Sequence, residues 1–168
     1  MGFSSARLLR CAFVLLVLAA PALGQDGGRV VGASGLPLPR FASLTSSEVN
    51  VRTGPSLDHP IRWTYKRLGL PVQIIEEAEL WRRIVDPDGE TGWVHSSLLS
   101  IQRNVMVLGP DVRELRRTAG LEGRVVARLE PGVVAEFDRC DRDWCRVEIA
   151  NEVGWMPRTA IWGVDGHD

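Results

Sequence analysis

The most distinctive chemistry in this 168-residue chain belongs to its three cysteines. Cys11 lies in an apolar run near the N-terminus, whereas Cys140 and Cys145 bracket the sequence Asp-Arg-Asp-Trp, which is typical of a hairpin turn. Cross-strand positions beside a short turn can satisfy disulfide geometry, so we predict a Cys140–Cys145 bond. A free redox-active thiol pair and a zinc site are the alternatives. Zinc prefers four ligands, and the three histidines show no recognisable ligand spacing, so we predict no metal site.

Two pairs of carboxylates, Glu76 with Glu77 and Asp86 with Asp88, offer an acid and a base of the kind that cleaves glycans. The first pair falls at the polar end of a predicted strand and the second in a predicted turn, where solvation accounts for both. A wall peptidase needs a catalytic Cys and His on a separate domain, for which 168 residues leave no room. We therefore predict a protein without enzymatic activity and without a cofactor.

The N-terminal segment predicts export. Arg7 and Arg10 precede an apolar run over residues 11–20, and small residues follow it. A membrane-spanning helix needs about 20 apolar residues, so this run indicates a signal peptide over residues 1–24, cleaved after Ala22 or after Gly24. An uncleaved anchor is the alternative. We expect a mature protein with no integral membrane segment, in the periplasm or secreted, where an oxidising environment permits disulfides.

The charge of the mature chain argues against nucleic acid as a partner. Cleavage removes two of the 20 basic residues and none of the 21 acidic ones, so the formal net charge falls from −1 to −3. Nucleic acids and anionic membranes bind clustered Lys and Arg. Arg113, Arg116 and Arg117 form one local basic spot, which we interpret as a solvated strand edge rather than an anion site.

The sequence repeats itself after about 60 residues. Residues 51–53 align with 115–117 at an offset of 64, residues 81–84 with 144–147 at 63, and the Gly-Trp pair at 92–93 with that at 154–155 at 62. Leu99 and Ile161 continue the match. The marks recur in the same order, so we predict a duplicated domain.

Each half contains short, turn-punctuated strand patterns. The predicted strands are residues 61–66, 72–77, 81–85 and 92–95 in the first half and 124–129, 133–139, 144–149 and 153–156 in the second. Alternation sends Val72 and Ile74 to one face and Gln73 to the other. No stretch after the signal peptide sustains a helical period, which favours small all-β barrels or sandwiches.

The first half resembles a bacterial SH3-like domain of the exported, tandem type. The resemblance rests on ordered motifs at residues 49–55 (VNVRTGP), 62–65 (RWTY), 69–72 (GLPV), 81–84 (WRRI), Gly89 and 92–99 (GWVHSSLL). The second half departs from the pattern, with Glu114 for Asn50, residues 118–120 for the Thr-Gly-Pro turn, and Pro157 for His95. The resemblance implies a barrel of about five strands and a binding role in the cell envelope, towards peptidoglycan or proteins.

The aromatic residues suggest where a ligand could bind. The tryptophans that recur in both halves are expected to be core or wall residues, whereas Trp63 and Tyr65 correspond to Ala127 and Leu129. Because the fold survives without these two aromatics, we predict that they line a ligand groove together with Arg52 and His95 of the same motif. That list, Arg52, Trp63, Tyr65 and His95, is the predicted binding site.

The resulting hypothesis is a non-catalytic envelope module with two tandem SH3-like β-barrels that binds a peptide or peptidoglycan fragment, mainly through the first. The predicted organisation is a signal peptide at residues 1–24, a flexible linker at 25–40, barrels at 41–101 and 104–163, and a tail at 164–168. The alternative is a structural or regulatory adaptor that docks an envelope protein. The short connection after residue 101 favours a fixed arrangement of the barrels.

Overall fold

The computed structural model describes residues 1–2, 30–166 and 168. The described part contains β-strands and two 3₁₀ turns but no α-helix. The predicted signal peptide lies outside the described residues except for its first two positions. Within the described ranges, no helix has the length and apolar character needed to cross a membrane.

A two-stranded hairpin precedes two sheets of seven strands each. The hairpin consists of β1 (Val30–Val31) and β2 (Pro37–Leu38). The first sheet contains β3 (Arg40–Leu44), β4 (Val49–Arg52), β5 (Ile61–Tyr65), β6 (Pro71–Ala78), β7 (Trp81–Val85), β8 (Thr91–His95) and β9 (Leu99–Ser100). The second contains β10 (Asn104–Val107), β11 (Arg113–Arg116), β12 (Val125–Leu129), β13 (Val134–Asp141), β14 (Trp144–Ile149), β15 (Glu152–Pro157) and β16 (Ile161–Trp162).

The two sheets have the same topology. The strand order is β5-β4-β8-β7-β6-β3-β9 in the first and β12-β11-β15-β14-β13-β10-β16 in the second, which is the same order one repeat later. The register repeats as well: Val51 pairs with Trp63 as Leu115 pairs with Ala127, and each hairpin has a register shift at the next residue. The predicted fold, two tandem SH3-like β-barrels, is confirmed. The sequence prediction omitted β3, β4, β9 and their counterparts β10, β11 and β16.

Each sheet curls around its own apolar core. The first core includes Leu44, Val49, Val51, Val72, Ile84 and Val94, and the second includes Val105, Val107, Leu115, Val147 and Met156. The predicted alternation holds, since Val72 and Ile74 are buried. Full burial of such a side chain stabilises the fold by roughly 1.5–3 kcal/mol. Each barrel has few core residues, so ion pairs, the disulfide and contacts between the barrels add to the stability that burial provides.

The repeated Gly-Trp motif has a steric cause. A Cβ added at Gly92 would lie 2.3 Å from Cγ1 of Val51, and one at Gly154 would lie 2.6 Å from Cγ of Leu115. These valine and leucine side chains occupy the centre of each core and are fully buried. Glycine is therefore required in β8 and β15, where the strand passes closest to the core side chains of the neighbouring strand.

Residues 30–40 correct the prediction of a flexible linker over 25–40. They form β1, β2 and the start of β3, and Leu38 is buried in the first core. Ser34 donates two hydrogen bonds to the carboxylate of Glu77, from its backbone N–H at 2.7 Å and from its hydroxyl at 2.8 Å. The segment is ordered because it supplies a buried apolar residue and the partners of a buried charge, contacts that its Gly- and Pro-rich composition does not reveal.

The carboxylate of Glu77 organises an ion network beside this hairpin. Its side chain is only 1% exposed and lies 2.6 Å from Arg40 and 3.2 Å from Arg82. Burial by itself raises the pKa of Glu77, but the hydrogen bonds from Ser34 and the pairing with Arg40 outweigh it and lower the pKa to about 2. A buried carboxylate with this many partners remains charged throughout the physiological range.

The predicted disulfide joins Cys140 and Cys145. The two residues are direct cross-strand partners in the β13–β14 hairpin, and Arg142 in the turn has a positive φ of 53°. Cys145 is fully buried in the second core, and Cys140 packs against that core. The disulfide therefore links β13 to β14 covalently beside the second core.

Direct contacts fix one barrel against the other. The backbone N–H of Asn104 donates to the Ser43 hydroxyl at 2.7 Å, and its side-chain amide donates to the Gly69 carbonyl at 2.8 Å. The rings of Phe41 and Trp162 meet edge to face with centroids 5.0 Å apart. We call these contacts the junction. They join the first and last strands of the second barrel to the first barrel and hold the two barrels in one arrangement.

Glu77→Gln is expected to lower the free energy of unfolding by about 2 kcal/mol at neutral pH, with partial solvent screening taken into account. Because the folded-state pKa of about 2 lies below the ordinary value of 4.5, this stabilisation is present above pH 4.5 and is lost as the pH falls towards 2. Urea unfolding of both proteins across that range measures the difference.

The matched control is Glu76→Gln, because the neighbouring carboxylate is 53% exposed and pairs with Arg83 at 3.3 Å. Its effect is expected to stay below about 0.5 kcal/mol. A stability difference between wild type and Glu77→Gln that does not shrink in acid would contradict the charged network.

Candidate functional site

The structure divides the predicted binding residues between two faces of the first barrel. Tyr65 and Trp63 of β5 are the cross-strand partners of Val49 and Val51 of β4, and both valines are fully buried. Cross-strand partners share a face, so both aromatic rings turn towards the core, and both pack against it. Arg52 follows Val51 beyond the register shift, where it pairs with Ile61 of β5 and with Trp93 of β8.

Tyr65 has a structural partner. Its hydroxyl donates to Oδ2 of Asp86 at 2.7 Å, and Oδ1 of Asp86, a residue only 6% exposed, accepts two backbone N–H groups from the turn that follows. Burial raises the pKa of Tyr65 above its ordinary value, and the hydrogen bond to Asp86 raises it further. In the second barrel the aligned positions are Leu129 and Ile149, so a polar pair is replaced as a unit by an apolar one.

Trp63 lies between the core and the surface. Its ring meets that of Tyr65 edge to face at 5.9 Å, and the guanidinium of Arg62 lies 5.0 Å from its centroid. The aligned residue of the second barrel is Ala127. Trp63 thus packs at the edge of the first core, where the second barrel has the much smaller side chain of Ala127.

Arg52 stabilises a loop. Its Nη1 donates to the carbonyls of Leu57 at 3.0 Å and His59 at 2.7 Å. Arg116 makes the same two bonds 64 residues later, to the carbonyls at the equivalent loop positions. A bond pattern that recurs in both barrels indicates that the arginine of this motif orders the loop between two strands.

His95 begins the 3₁₀ turn at Ser96–Leu98. Its Nδ1 lies 2.8 Å from the Ser97 hydroxyl, and its ring meets Trp81 edge to face at 5.4 Å. The structure therefore brings Trp63 and Tyr65 together but does not assemble Arg52 and His95 with them into one groove. A binding role for each of these residues stays a prediction.

The carboxylate pairs considered for acid–base chemistry have structural partners. Glu77 is held by Ser34 and two arginines, and Asp86 receives Tyr65 and the turn N–H groups. These contacts account for both buried carboxylates. Among the described residues, no three His, Cys, Asp or Glu side chains form a group that could hold a metal ion.

A groove of about 570 Å³ runs where the two barrels meet, and we call it the inter-barrel groove. Its apolar lining includes Phe41, Ala42, Ile74, Leu99 and Ile101. Phe41 also belongs to the junction, so the shape of the groove depends on how the barrels are fixed. Ile101 is 88% exposed and lies in the short connection between the two sheets. The groove thus combines an apolar surface with access from solvent.

Charged side chains flank this apolar surface. Arg40 and Arg82 line one side and share the single carboxylate of Glu77. Nη1 of Arg40 is buried and has no hydrogen-bond partner among the described residues. Arg103 pairs with Asp168, and its guanidinium lies 4.4 Å from the Phe137 ring. A buried donor without an acceptor is uncommon in folded proteins and draws attention to the Arg40 side.

Sequence reasoning missed this groove. Its residues come from the β1–β2 hairpin, β3, β6, β7, β9, the connection and the C-terminal residues, and Arg40 fell at the end of the predicted linker. No local spacing links them, because the groove arises from the packing of one repeat against the next. The only sequence signal was the short connection between the repeats, which predicted a fixed arrangement.

Replacing Trp63 by Ala and Tyr65 by Leu, as in the second barrel, is expected to lower the free energy of unfolding by roughly 3 kcal/mol. The physical reason is lost packing on the first core and the loss of the donor to Asp86. Chemical denaturation measures it. Thr64→Ala is the control, because Thr64 lies between the two aromatic residues and its hydroxyl donates a hydrogen bond to Oδ1 of the exposed Asn50. A double variant as stable as Thr64→Ala would show that both rings are dispensable to the core.

Comparison with known proteins follows the same division into two halves. A family model described as the bacterial SH3 domain matches residues 45–100 and again residues 110–163. A Bacillus subtilis (strain 168) protein, YrvJ, named as a candidate N-acetylmuramoyl-L-alanine amidase, is 28% identical in an alignment of length 138. The alignment covers 70% of this chain and 26% of that protein. This chain therefore spans about a quarter of the length of that relative.

Two solved structures show distant similarity. NlpC2 from Trichomonas vaginalis is 12% identical with a TM-score of 0.34, over 76% of this chain and 51% of the other. An NlpC/P60 family protein from Bacillus cereus ATCC 10987 is 13% identical with a TM-score of 0.32, over 73% and 55%. The family model itself covers most of the described part of the chain in two copies, each of which spans six of the seven strands of one sheet. The chain belongs to the bacterial SH3 domain family.

Proposed function

We propose that this protein is a non-catalytic binding module of the cell envelope that recognises peptide segments of peptidoglycan through the inter-barrel groove. Its family membership and its similarity to part of a protein named as a cell-wall amidase support a wall-associated role. The match spans 26% of that relative, and the role proposed for the matching part in this chain is binding.

The observation that carries the proposal is the composition of the groove. An apolar lining lies beside Arg40 and Arg82, two guanidinium groups that share the carboxylate of Glu77 as their one carboxylate partner among the described residues. This combination suits a ligand with small apolar groups and a carboxylate, because an arginine donor and a carboxylate form a charge-assisted hydrogen bond. Wall peptides are built from such groups, as they contain alanine side chains and free carboxylates.

The compartment is part of the proposal. We place the protein in the periplasm or outside the cell, supported by the signal-like residues 1–24 and by the Cys140–Cys145 disulfide. Both features are expected of proteins that mature in an oxidising environment. No nucleic acid partner is proposed, because the chain has a slight excess of acidic residues.

A protein partner is the second candidate. The junction observed at Asn104 and between Phe41 and Trp162 presents the two barrels as a single continuous surface. An adaptor that docks an envelope protein would use such a surface across both barrels. The two candidates differ in one measurable property, since only the first requires direct retention by purified wall material.

Sedimentation with insoluble peptidoglycan tests the first candidate. The purified exported protein is expected to be retained, and Ile101→Glu is expected to reduce its affinity roughly tenfold, because a carboxylate replaces an apolar group beside a groove for an acidic peptide. Ile101 is 88% exposed, so the substitution leaves the fold intact.

The matched control is Leu57→Glu, the same kind of change at a residue that is 74% exposed and does not line the groove. It should bind as wild type does. Equal losses in the two variants would remove the groove as the site, and a wild-type protein that stays in the supernatant would favour the protein-partner candidate.

A further inference from the structure

The second barrel has a cleft of its own that the groove proposal does not use. The cleft has a volume of about 450 Å³, and we call it the β11 cleft. Arg113, Arg116, Arg128, Glu114 and Trp144 line it. Three arginines against one glutamate make it locally basic in a chain whose net charge is −1.

Two of the three arginines, Arg113 and Arg128, have no carboxylate partner that they do not share. Arg116 bonds Glu114 and also holds the neighbouring loop, so this pair is satisfied internally. Arg128 reaches Glu114 only at 3.7 Å and is 70% exposed. Arg113 donates Nε to the Leu108 carbonyl at 3.1 Å and has no carboxylate within 4 Å among the described residues. The remaining positive charge faces the cleft.

The comparison of the two barrels explains why Trp144 is accessible here. In the first barrel the aligned Trp81 is 9% exposed and meets the His95 ring at 5.4 Å. In the second barrel Pro157 takes the place of His95 and is the cross-strand partner of Trp144. The proline side chain is smaller than that of histidine, and Trp144 is only partly buried and lines the cleft.

The basic character is also specific to this barrel. The positions aligned with Arg113 and Arg128 are Val49 and Thr64 in the first barrel, whereas the loop-holding arginine is present in both. Arg113, which has no carboxylate partner among the described residues, and Arg128, which shares Glu114 with Arg116, therefore lie beside an accessible tryptophan. The first barrel has neither arginine at the aligned positions.

We propose that the β11 cleft is a second binding site, for a small ligand that carries a carboxylate next to an apolar face. The carboxylate pairs with Arg128 and Arg113, and the apolar face lies against the ring of Trp144. The hydroxyl of Thr159, which also lines the cleft, is available to a polar group of the ligand. Carboxylate–arginine pairs and aromatic stacking are the contacts that such a ligand requires.

Two sources of this chemistry are an acidic amino sugar and the C-terminus of a short peptide. N-acetylmuramic acid and acetyl-D-alanyl-D-alanine represent them as probes, and N-acetylglucosamine is the control, because it lacks the lactyl carboxylate of N-acetylmuramic acid. The measurement is a titration of the full exported protein followed by NMR, with the indole N–H of Trp144 and the amide of Arg128 as reporters.

At least one carboxylate probe is expected to shift both reporters, while N-acetylglucosamine shifts neither. Arg128→Ala should weaken binding roughly tenfold, and added salt should weaken it as well. Arg117→Ala is the matched control: it removes the same charge from an exposed residue next to Arg116 that does not line the cleft, and it should change Kd by less than about twofold.

The probe that binds identifies the source of the carboxylate. The proposal is overturned if neither carboxylate probe shifts the reporters, if N-acetylglucosamine shifts them equally, or if Arg128→Ala and Arg117→Ala behave alike. Ile101→Glu should leave these titrations unchanged, so the result is independent of the inter-barrel groove.

Discussion

The fixed contact between the two barrels is the constraint on which the rest of the structure depends. Asn104 is the first residue of the second sheet. Its backbone N–H donates a hydrogen bond to the Ser43 hydroxyl, and its side-chain amide donates one to the Gly69 carbonyl of the first barrel. Gly69 has a positive φ of 74°, which favours glycine, and a Cβ there would lie 2.6 Å from that amide nitrogen. With Phe41 against Trp162, these contacts turn two marginal domains into one body and create the groove between them.

Duplication has preserved the interior and changed the surface. Strand order, register shifts, the Gly-Trp motif and the loop-holding arginine recur in both barrels, and each has a direct steric or hydrogen-bonding reason. Several positions that differ lie on the outer face, and the partly buried, hydrogen-bonded Tyr65–Asp86 pair is an exception. Pro157 and Arg128 replace His95 and Thr64 on the outer face, and the Tyr65–Asp86 pair has become two apolar residues. One fold therefore presents two different surfaces.

Features that depend on neighbouring residues were predictable from the sequence. The β7 and β14 strands, the Cys140–Cys145 hairpin and the repeat follow from alternation, turn residues and spacing. The faces of Trp63 and Tyr65 were not predictable, because they depend on a register with Val51 and Val49 that composition does not encode. Arg40 and Phe41 belong to contacts across the fold, so the groove and the order of residues 30–40 required the structure.

The central claim, that the two barrels form one rigid unit, is tested most directly by residual dipolar couplings of backbone amides in the protein. Couplings from residues 41–100 and from residues 104–162 should fit a single alignment tensor of one magnitude and orientation. Separate tensors, or a smaller one for either barrel, would show that the barrels move independently. In that case the junction would not hold in solution, and the inter-barrel groove would not be a preformed site.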